Sequence, residues 1–320
     1  MNGQSVELEL KQLLGEGLKS NVVLRDYTSF QVGGVCDFFY VAKTINDLVK
    51  SVEAAIRLDL PYFLLGGGNN ILISDIGFPG LVIKNEADNL VFMPGSAEVI
   101  ADSGLTLSKL LTEAASRDLG GVEFLFGIPG TVGGAIYNNV GTPEIAVGDF
   151  VKFVTLLIPN PKTKSAKIVK YRSDWLEFKY RESRLKNETK NSNYSMPRPI
   201  ILTAKLQLVQ SKREVILDRM RKNLELKKEK QPLGVHSAGS FFKNPGKLKE
   251  QTAGFLLDHV GAKKMKIGKA AVSKRHANHL VNKGGARAED IKRLAEQLKI
   301  KVRDEYRVNL EEEIEYIGRW

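Results

Sequence analysis

Cysteine is almost absent from this chain: its 320 residues hold one, Cys36. A single thiol excludes an internal disulfide framework and any multi-cysteine zinc or iron–sulfur site. Histidine is scarce as well, at four: His236, His259, His276 and His279. The last two stand three apart, a spacing that shares one face if the stretch is helical. No Asp or Glu lies between Gly261 and Glu289 to complete a ligand set there, and no metal site is expected. No run approaches the ~18 consecutive apolar residues that span a bilayer. Met1–Ser20 has neither the apolar centre nor the small-residue cleavage site of a secretory leader, so a cytoplasmic protein is expected. The Gly-x-Gly-x-x-Gly fingerprint and the Walker loop are missing too. A dinucleotide would have to be bound by some other fold.

What remains is ordinary in bulk and uneven in detail. Apolar residues make up 42% and charged residues 27%, the composition of a globular chain with room for two cores. Lys and Arg exceed Asp and Glu by 11, and they concentrate at Lys212–Lys230, Lys243–Lys274 and Lys283–Arg303. That balance suits polyanionic partners, from nucleic acid to diphosphate-bearing small molecules. No Cys/His finger, aromatic RNA-binding box or basic zipper accompanies it. Solvation of helix faces accounts for most of the charge, and nucleotide sites could use the rest.

Periodicity predicts helices at 44–58, with Thr44 as N-cap, and at 107–119, ended by Gly120 and Gly121. Further helices are expected at 214–228, 248–260 and 288–304. Strands are expected at 62–65, 71–74, 81–84, 99–101, 151–158 and 200–209, near Ala270 and Leu280, and at 308–317. Residues 186–197 read as an irregular polar loop. The fold class is α+β, with one large domain over 1–210 and a smaller one over 211–320.

Four segments carry chemistry. Gly66-Gly67-Gly68-Asn69-Asn70 puts three glycines between two apolar stretches, where successive N–H groups can form an anion-binding nest. A hairpin turn is the alternative, but it needs one or two glycines. Gly127-Ile128-Pro129-Gly130-Thr131, followed by Gly133 and Gly134, reads equally as a second diphosphate cradle or as a structural crossover loop. Tyr180-Arg181 offers a guanidinium fork for a carboxylate, and Tyr171-Arg172 offers the same, so spacing alone leaves the two open. Gly239-Ser240-Phe241-Phe242-Lys243-Asn244-Pro245 sets a hydroxyl, a cation and an amide beside two aromatic anchors. That is equipment for gripping an anionic small molecule and giving it one proton. Glu311-Glu312-Glu313 falls in the closing strand, where a charged edge is the plainer explanation.

In their order these segments resemble the UDP-N-acetylenolpyruvoylglucosamine reductase (MurB) family. Thr28-Ser29-Phe30 with Gly33-Gly34, Lys230-Gln231-Pro232, Ala253-Gly254 and Leu310–Gly318 extend the likeness over nearly the whole chain. The resemblance implies an FAD-binding domain of the vanillyl-alcohol-oxidase (PCMH) type, made of two α+β subdomains. A smaller α+β substrate-binding domain follows, its last strand returning toward the active site. It also implies NADPH-dependent, FAD-mediated reduction of an enolpyruvyl ether in peptidoglycan precursor synthesis. The substrate would be a UDP-linked enolpyruvyl amino sugar, handled by a monomer with neither nucleic acid nor membrane as partner. The residues so implied are Arg181, Ser240 and Glu313 for catalysis, with Tyr180, Lys230 and Asn244 for substrate. FAD would lie on Gly66–Asn70, Gly127–Thr131, Gly133 and Gly134. The likeness selects Tyr180-Arg181 over Tyr171-Arg172.

The chain departs from the family pattern at Tyr27, where Asn is usual, at Asn139–Glu144, and at His236, where the usual residue is Pro. No tyrosine-bearing insertion stands between Val209 and Lys230, which places the chain with the subgroup that lacks one. Two rivals share parts of the pattern. An alcohol or hydroxy-acid oxidase would keep the glycine loops but has no use for Gly239–Pro245. A basic nucleic-acid-binding protein on an inactive flavin scaffold would need no flavin at all.

Overall fold

In the computed structural model, residues 3–190, 198–230, 232 and 234–320 are described, apart from the side chains of 3, 188–190 and 230. The first half runs α1 (Gly3–Leu14), β1 (Lys19–Val23), β2 (Val35–Ala42), α2 (Ile45–Arg57), β3 (Tyr62–Leu65), β4 (Ile71–Ile73), β5 (Phe78–Asn85), β6 (Leu90–Phe92), β7 (Glu98–Asp102), α3 (Leu107–Ala115), β8 (Leu119–Gly120) and α4 (Val132–Tyr137). It continues with β9 (Val151–Asn160), β10 (Ser165–Arg172), α5 (Arg184–Lys190), β11 (Ile200–Gln207), β12 (Val209–Gln210) and α6 (Arg213–Lys230). The remainder is α7 (Ala253–His259), β13 (Lys266–Ile267), β14 (Ala270–Val272), β15 (Leu280–Asn282), α8 (Ala288–Tyr306) and β16 (Glu315–Ile317).

The chain divides into two compact units. The first comprises Met1–Val22, Cys36–Gly67 and Pro79–Leu224; the second comprises Val23–Val35, Gly68–Phe78 and Glu225–Trp320. The division thus falls inside α6, and two early segments belong with the C-terminal residues.

The first unit is built mainly on two large sheets. One has the order β1-β2-β5-β3 and the other β10-β9-β11-β7-β6. β3 runs parallel to β5, Tyr62 opposite Leu81, which a crossover connection requires. The second sheet is antiparallel throughout its registered pairs. Leu48, Val52, Ala55 and Ile56 of α2 pack with Leu81, Ile83, Leu157 and Leu202 in one core. Leu107, Leu110, Leu111 and Ala114 of α3 enter another with Val99, Ala101, Leu156 and Ala204. Burying these apolar stripes drives both cores, at roughly 1.5–3 kcal/mol per large side chain. Thr44 caps α2 as expected, in a reciprocal box with Asp47 at 3.0 and 3.1 Å.

In the second unit β4 pairs in parallel with β16, Ile71 opposite Glu315. α8 buries Ile291, Leu294, Leu298 and Val302 against a core that includes Phe30, Phe241 and Phe242. Its short sheet has the order β13-β14-β15.

Several expectations are corrected. α3 stops at Ala115 rather than 119, because Asp118 turns left-handed (φ 57°) and Leu119–Gly120 pairs with β12. The helix expected from 248 begins at Ala253, since Thr252 is its N-cap and Lys249–Gln251 forms a separate 3-10 turn. Residues 186–190 of the expected loop belong instead to helix α5, and 191–197 lie outside the described residues. Strand structure at the C-terminus is confined to Glu315–Ile317. α1, β1, β2 and β10 were not foreseen. His276 and His279 are not helical, yet a turn brings their rings to 4.6 Å.

Candidate functional site

In the first unit two glycine loops converge. β3 ends at Leu65, and a Cβ on Gly66 would stand 3.0 Å from Thr131 Oγ1. Lys84, on the neighbouring β5, donates its Nζ to the Gly66 carbonyl. Burial holds that ammonium below the ordinary lysine range, opposed by nearby Glu86. The second loop is pinned by its own backbone: Leu107 N donates to Gly130 O at 3.0 Å, Val132 N to Leu105 O at 2.8 Å, and Gly133 N to Ser103 O at 2.8 Å. Gly133 lies so close to Ser103 that a Cβ would meet its Cβ at 2.8 Å. Thr131 caps α4, its hydroxyl accepting from Gly134 N. Among the described residues, the N–H groups of Gly67, Gly127, Gly130 and Thr131 face no protein acceptor. Uncommitted backbone donors on small-residue loops are the chemistry that cradles phosphate oxygens. The donor set fits the diphosphate of FAD.

Arg181 occupies a tight reverse turn. Lys179 and Glu182 exchange backbone bonds at 3.0 Å in both directions, leaving Tyr180 and Arg181 as the two turn residues. Arg181 has φ 56°, where glycine or asparagine is usual. Its guanidinium lies 5.3 Å from the Tyr180 ring centre, and Tyr180 is exposed. Arg172, the alternative arginine, ends β10, where it is exposed and sits 5.9 Å from the Phe153 ring. Its neighbour Tyr171 is stacked on Trp175 at 4.2 Å.

The second unit collects the other motifs. Gly68 has φ 69°, and a Cβ there would stand 1.9 Å from the Tyr27 carbonyl oxygen. Glycine is therefore obligatory at this crossing. Ser29 N donates to Gly68 O at 3.0 Å, and the Ser29 hydroxyl donates to Asn69 Oδ1. Asn70 Nδ2 donates to the Glu313 carbonyl at 3.1 Å. Thr28-Ser29-Phe30 is thus the brace of the Asn69 turn, and the glutamate run closes on it from the other end of the chain.

The Ser240 segment is held on both sides. Phe241 N donates to Asn278 O at 2.8 Å, and Glu313 N donates to Phe241 O at 2.8 Å. Lys243 N donates to Glu311 O at 2.9 Å. The Asn278 amide takes both backbone groups of Phe242, accepting from its N–H at 2.9 Å and donating to its carbonyl at 2.8 Å. Phe241 meets Phe30 edge-on at 6.3 Å, so the two aromatic anchors are fully internal. Ser240 is half-buried and bridges His279 through the backbone. Lys243 is buried, with its Nζ 2.9 Å from Glu311 Oε1. Asn244 Oδ1 accepts from Ala253 N at 3.1 Å, at the start of α7. Glu312 pairs with Lys299 at 3.0 Å. The side chain of Lys230 lies outside the described residues.

His279 lies beneath this segment. Burial, with His276 adding to it, pushes its imidazole down to about 3. Burial lowers His276 too; Lys263 adds to this and Asp258 opposes it. Both rings are therefore neutral near pH 7.

Residues 36–166 match the FAD binding domain family, and residues 231–317 match the C-terminal domain family of UDP-N-acetylenolpyruvoylglucosamine reductase. The reductase of Clostridium novyi is 34% identical over 98% of both chains. That of Geotalea uraniireducens is 36% identical, covering 96% of this chain and 95% of its own. The chain belongs to the UDP-N-acetylenolpyruvoylglucosamine reductase family. The crystal structure of the Thermus caldophilus reductase is 31% identical and superposes with a TM-score of 0.73, covering 94% of this chain and 100% of that one. The fold is accordingly an FAD-binding PCMH-type domain followed by the C-terminal domain of this family, and the protein is an FAD-dependent oxidoreductase.

Each family motif has a place in one of the two units. Gly66, Gly67, Gly127–Thr131, Gly133 and Gly134 fall in the first, with Tyr180 and Arg181; Gly68–Asn70, Ser240, Asn244 and Glu313 fall in the second. The hairpin reading of Gly66–Asn70 fails, because β3 and β4 lie in different sheets. Sequence reasoning missed Lys84, Ser103 and Asn278. Lys84 is one lysine in a strand and Ser103 one serine after another, and nothing in their spacing marks them. Asn278 sits in a polar stretch that carried no pattern. Among the described residues no cluster of three metal-ligating side chains is present, and no helix is long and apolar enough to cross a membrane.

Proposed function

We propose that this protein reduces UDP-N-acetyl-3-O-(1-carboxyvinyl)-glucosamine to UDP-N-acetylmuramate in the cytoplasm, acting as a monomer. NADPH is the electron source, residues 1–210 hold FAD, and residues 211–320 hold most of the substrate. Bound FAD supplies a hydride, taken from NADPH, to C3 of the enolpyruvyl group.

The protein's own residues manage the charge that follows. As C3 gains hydride, the electron pair of the double bond moves to C2 and its carboxylate. Arg181 stabilises this enolate through its planar cation, a contribution of about 3–4 kcal/mol when the group is preorganised. The Ser240 hydroxyl delivers the proton to C2, and the Glu313 carboxylate orients the nascent enol. Tyr180, Lys230 and Asn244 grip the sugar and diphosphate. Gly66–Asn70, Gly127–Thr131, Gly133 and Gly134 line the cofactor diphosphate, and the uncommitted N–H groups of Gly67, Gly127, Gly130 and Thr131 donate to it.

The observation that carries this reading is the backbone clamp on the Ser240 segment. An alcohol oxidase on the same FAD scaffold has no use for a hydroxyl fixed in this way in a second domain. The test is stopped-flow absorbance on Ser240→Ala. Bleaching of the flavin colour by NADPH should match the parent, while its return on mixing with the enolpyruvyl substrate should be blocked. Equal rates for parent and variant in both phases would refute Ser240 as the acid. Peroxide release from alcohols, with no response to the UDP-linked substrate, would establish the oxidase instead.

A further inference from the structure

The Arg181 turn is fastened to the helix that begins in the second glycine loop. Tyr180-Arg181 is a two-residue turn with Arg181 in a left-handed conformation. An arginine gains nothing intrinsic from that backbone, since glycine and asparagine tolerate it better. Something outside the turn must hold it there.

Three side chains do so, and all three bonds end on consecutive residues. Ser183 Oγ donates to Tyr137 O at 2.7 Å. Lys186 Nζ donates to Asn138 Oδ1 at 2.8 Å. Asn139 Nδ2 donates to Lys179 O at 2.8 Å. Tyr137 is the last residue of α4, Asn138 its C-cap and Asn139 the residue after it; Thr131 is the N-cap of the same helix, and Gly133 and Gly134 lie in its first turn. The relative exposures of Ser183, Lys186 and Asn139 are 0%, 4% and 6%, so the three bracing side chains are themselves buried, while the bonds they make are part-buried. Asn139 is itself left-handed (φ 44°), and its Oδ1 accepts from Gly148 N at 3.1 Å, which fixes the amide at both ends.

We propose that Ser183, Lys186 and Asn139 are positioning residues for Arg181. They make the arginine turn and the glycine loop of α4 one rigid block, so that the guanidinium is aimed before substrate arrives. The proposal rests on the reading of Arg181 as the group that meets the substrate carboxylate. It goes beyond that reading in naming what keeps Arg181 there. A carboxylate clamp is effective only when preset, because misplacement by about 1 Å costs on the order of a hundredfold in rate.

The experiment uses the FAD-loaded enzyme and four variants: Ser183→Ala, Lys186→Met, Arg181→Ala and the Ser183→Ala/Arg181→Ala double variant. Flavin content is read from the visible spectrum, and both half-reactions are followed by stopped flow. Ser183→Ala and Lys186→Met should each slow the return of flavin colour at saturating substrate by about tenfold. Bleaching by NADPH should stay within about twofold of the parent, because it makes no demand on a carboxylate clamp. In the Arg181→Ala background, adding Ser183→Ala should change colour return by less than about twofold, the non-additivity expected of groups that act through one another. An equal fold-loss from Ser183→Ala with and without Arg181 would overturn the proposal, as would parallel losses in both half-reactions. Should Arg181→Ala alone return colour at the parent rate, the role of Arg181 itself fails. That result is separate from the Ser183 measurement and identifiable as such.

Discussion

Asn278 should be worth about as much to this fold as a fully buried aliphatic side chain, although it is polar. Its side-chain amide satisfies the N–H and the carbonyl of Phe242 together, at 2.9 and 2.8 Å. Phe242 is 1% exposed and Asn278 3%, so water cannot replace the amide if it is removed. Asn278→Ala leaves one buried donor and one buried acceptor without partners. At roughly 1–3 kcal/mol for each unsatisfied group, the loss is about 2–6 kcal/mol. Native domains are stable by about 5–15 kcal/mol, so this is a large share. Asn278→Asp is the sharper probe. It keeps the acceptor for Phe242 N but sets a carboxylate oxygen against the Phe242 carbonyl. At pH 7 it should be at least as damaging as Ala. It should recover part of the loss as the carboxyl protonates and can donate again. Urea unfolding followed by far-ultraviolet circular dichroism at pH 7 and pH 5 measures both. A cost below about 1 kcal/mol for Asn278→Ala would refute the reasoning, because a buried pair cannot be orphaned so cheaply.

Other consequences can be measured directly. His279 is held neutral by burial and titrates near 3, against about 6.5 in an open chain. Between those values the unfolded chain binds the extra proton, so stability falls as pH falls through the window, by up to about 1.4 kcal/mol per pH unit. His279→Phe should flatten that part of the pH profile of urea midpoints; equal slopes in parent and variant would remove His279 as the cause. Gly68→Ala would drive a methyl to 1.9 Å from the Tyr27 carbonyl oxygen. It should lower both flavin retention and melting temperature, whereas Gly95→Ala, with nothing within 4 Å, should only strain its own turn. Arg181→Ala should cut turnover far more than Arg172→Ala, and comparable losses in steady-state assays would mean that the wrong arginine has been chosen.

The amphipathic helices were legible because burial enforces their spacing. α2 begins at the predicted cap, and α8 runs from Ala288 as expected, because both stripes are long enough to outweigh local noise. The ends of elements were less legible. α3 ends early because Asp118 is drawn into bonds with Ser211 and Arg213, nearly a hundred residues on, and no local window contains that partner. The same limit hid the meaning of Thr28-Ser29-Phe30. Its role is to brace Gly68 and Asn69 and to bury Phe30 against Phe241, and all of those contacts are distant in sequence.

The order of motifs along the chain was enough to identify the family, because the residue types that bind a diphosphate or give a proton leave a linear trace. Glycines must be glycines where backbone approaches backbone, and a hydroxyl must sit beside its anchors. Tertiary structure alone decided which arginine stands in the strained turn, which asparagine completes the Ser240 segment, and that the last strand pairs beside Asn70. Hydrogen bonds and burial act through space, so partners such as Phe242 and Asn278, or Ser183 and Tyr137, leave no mark in the spacing of either residue alone.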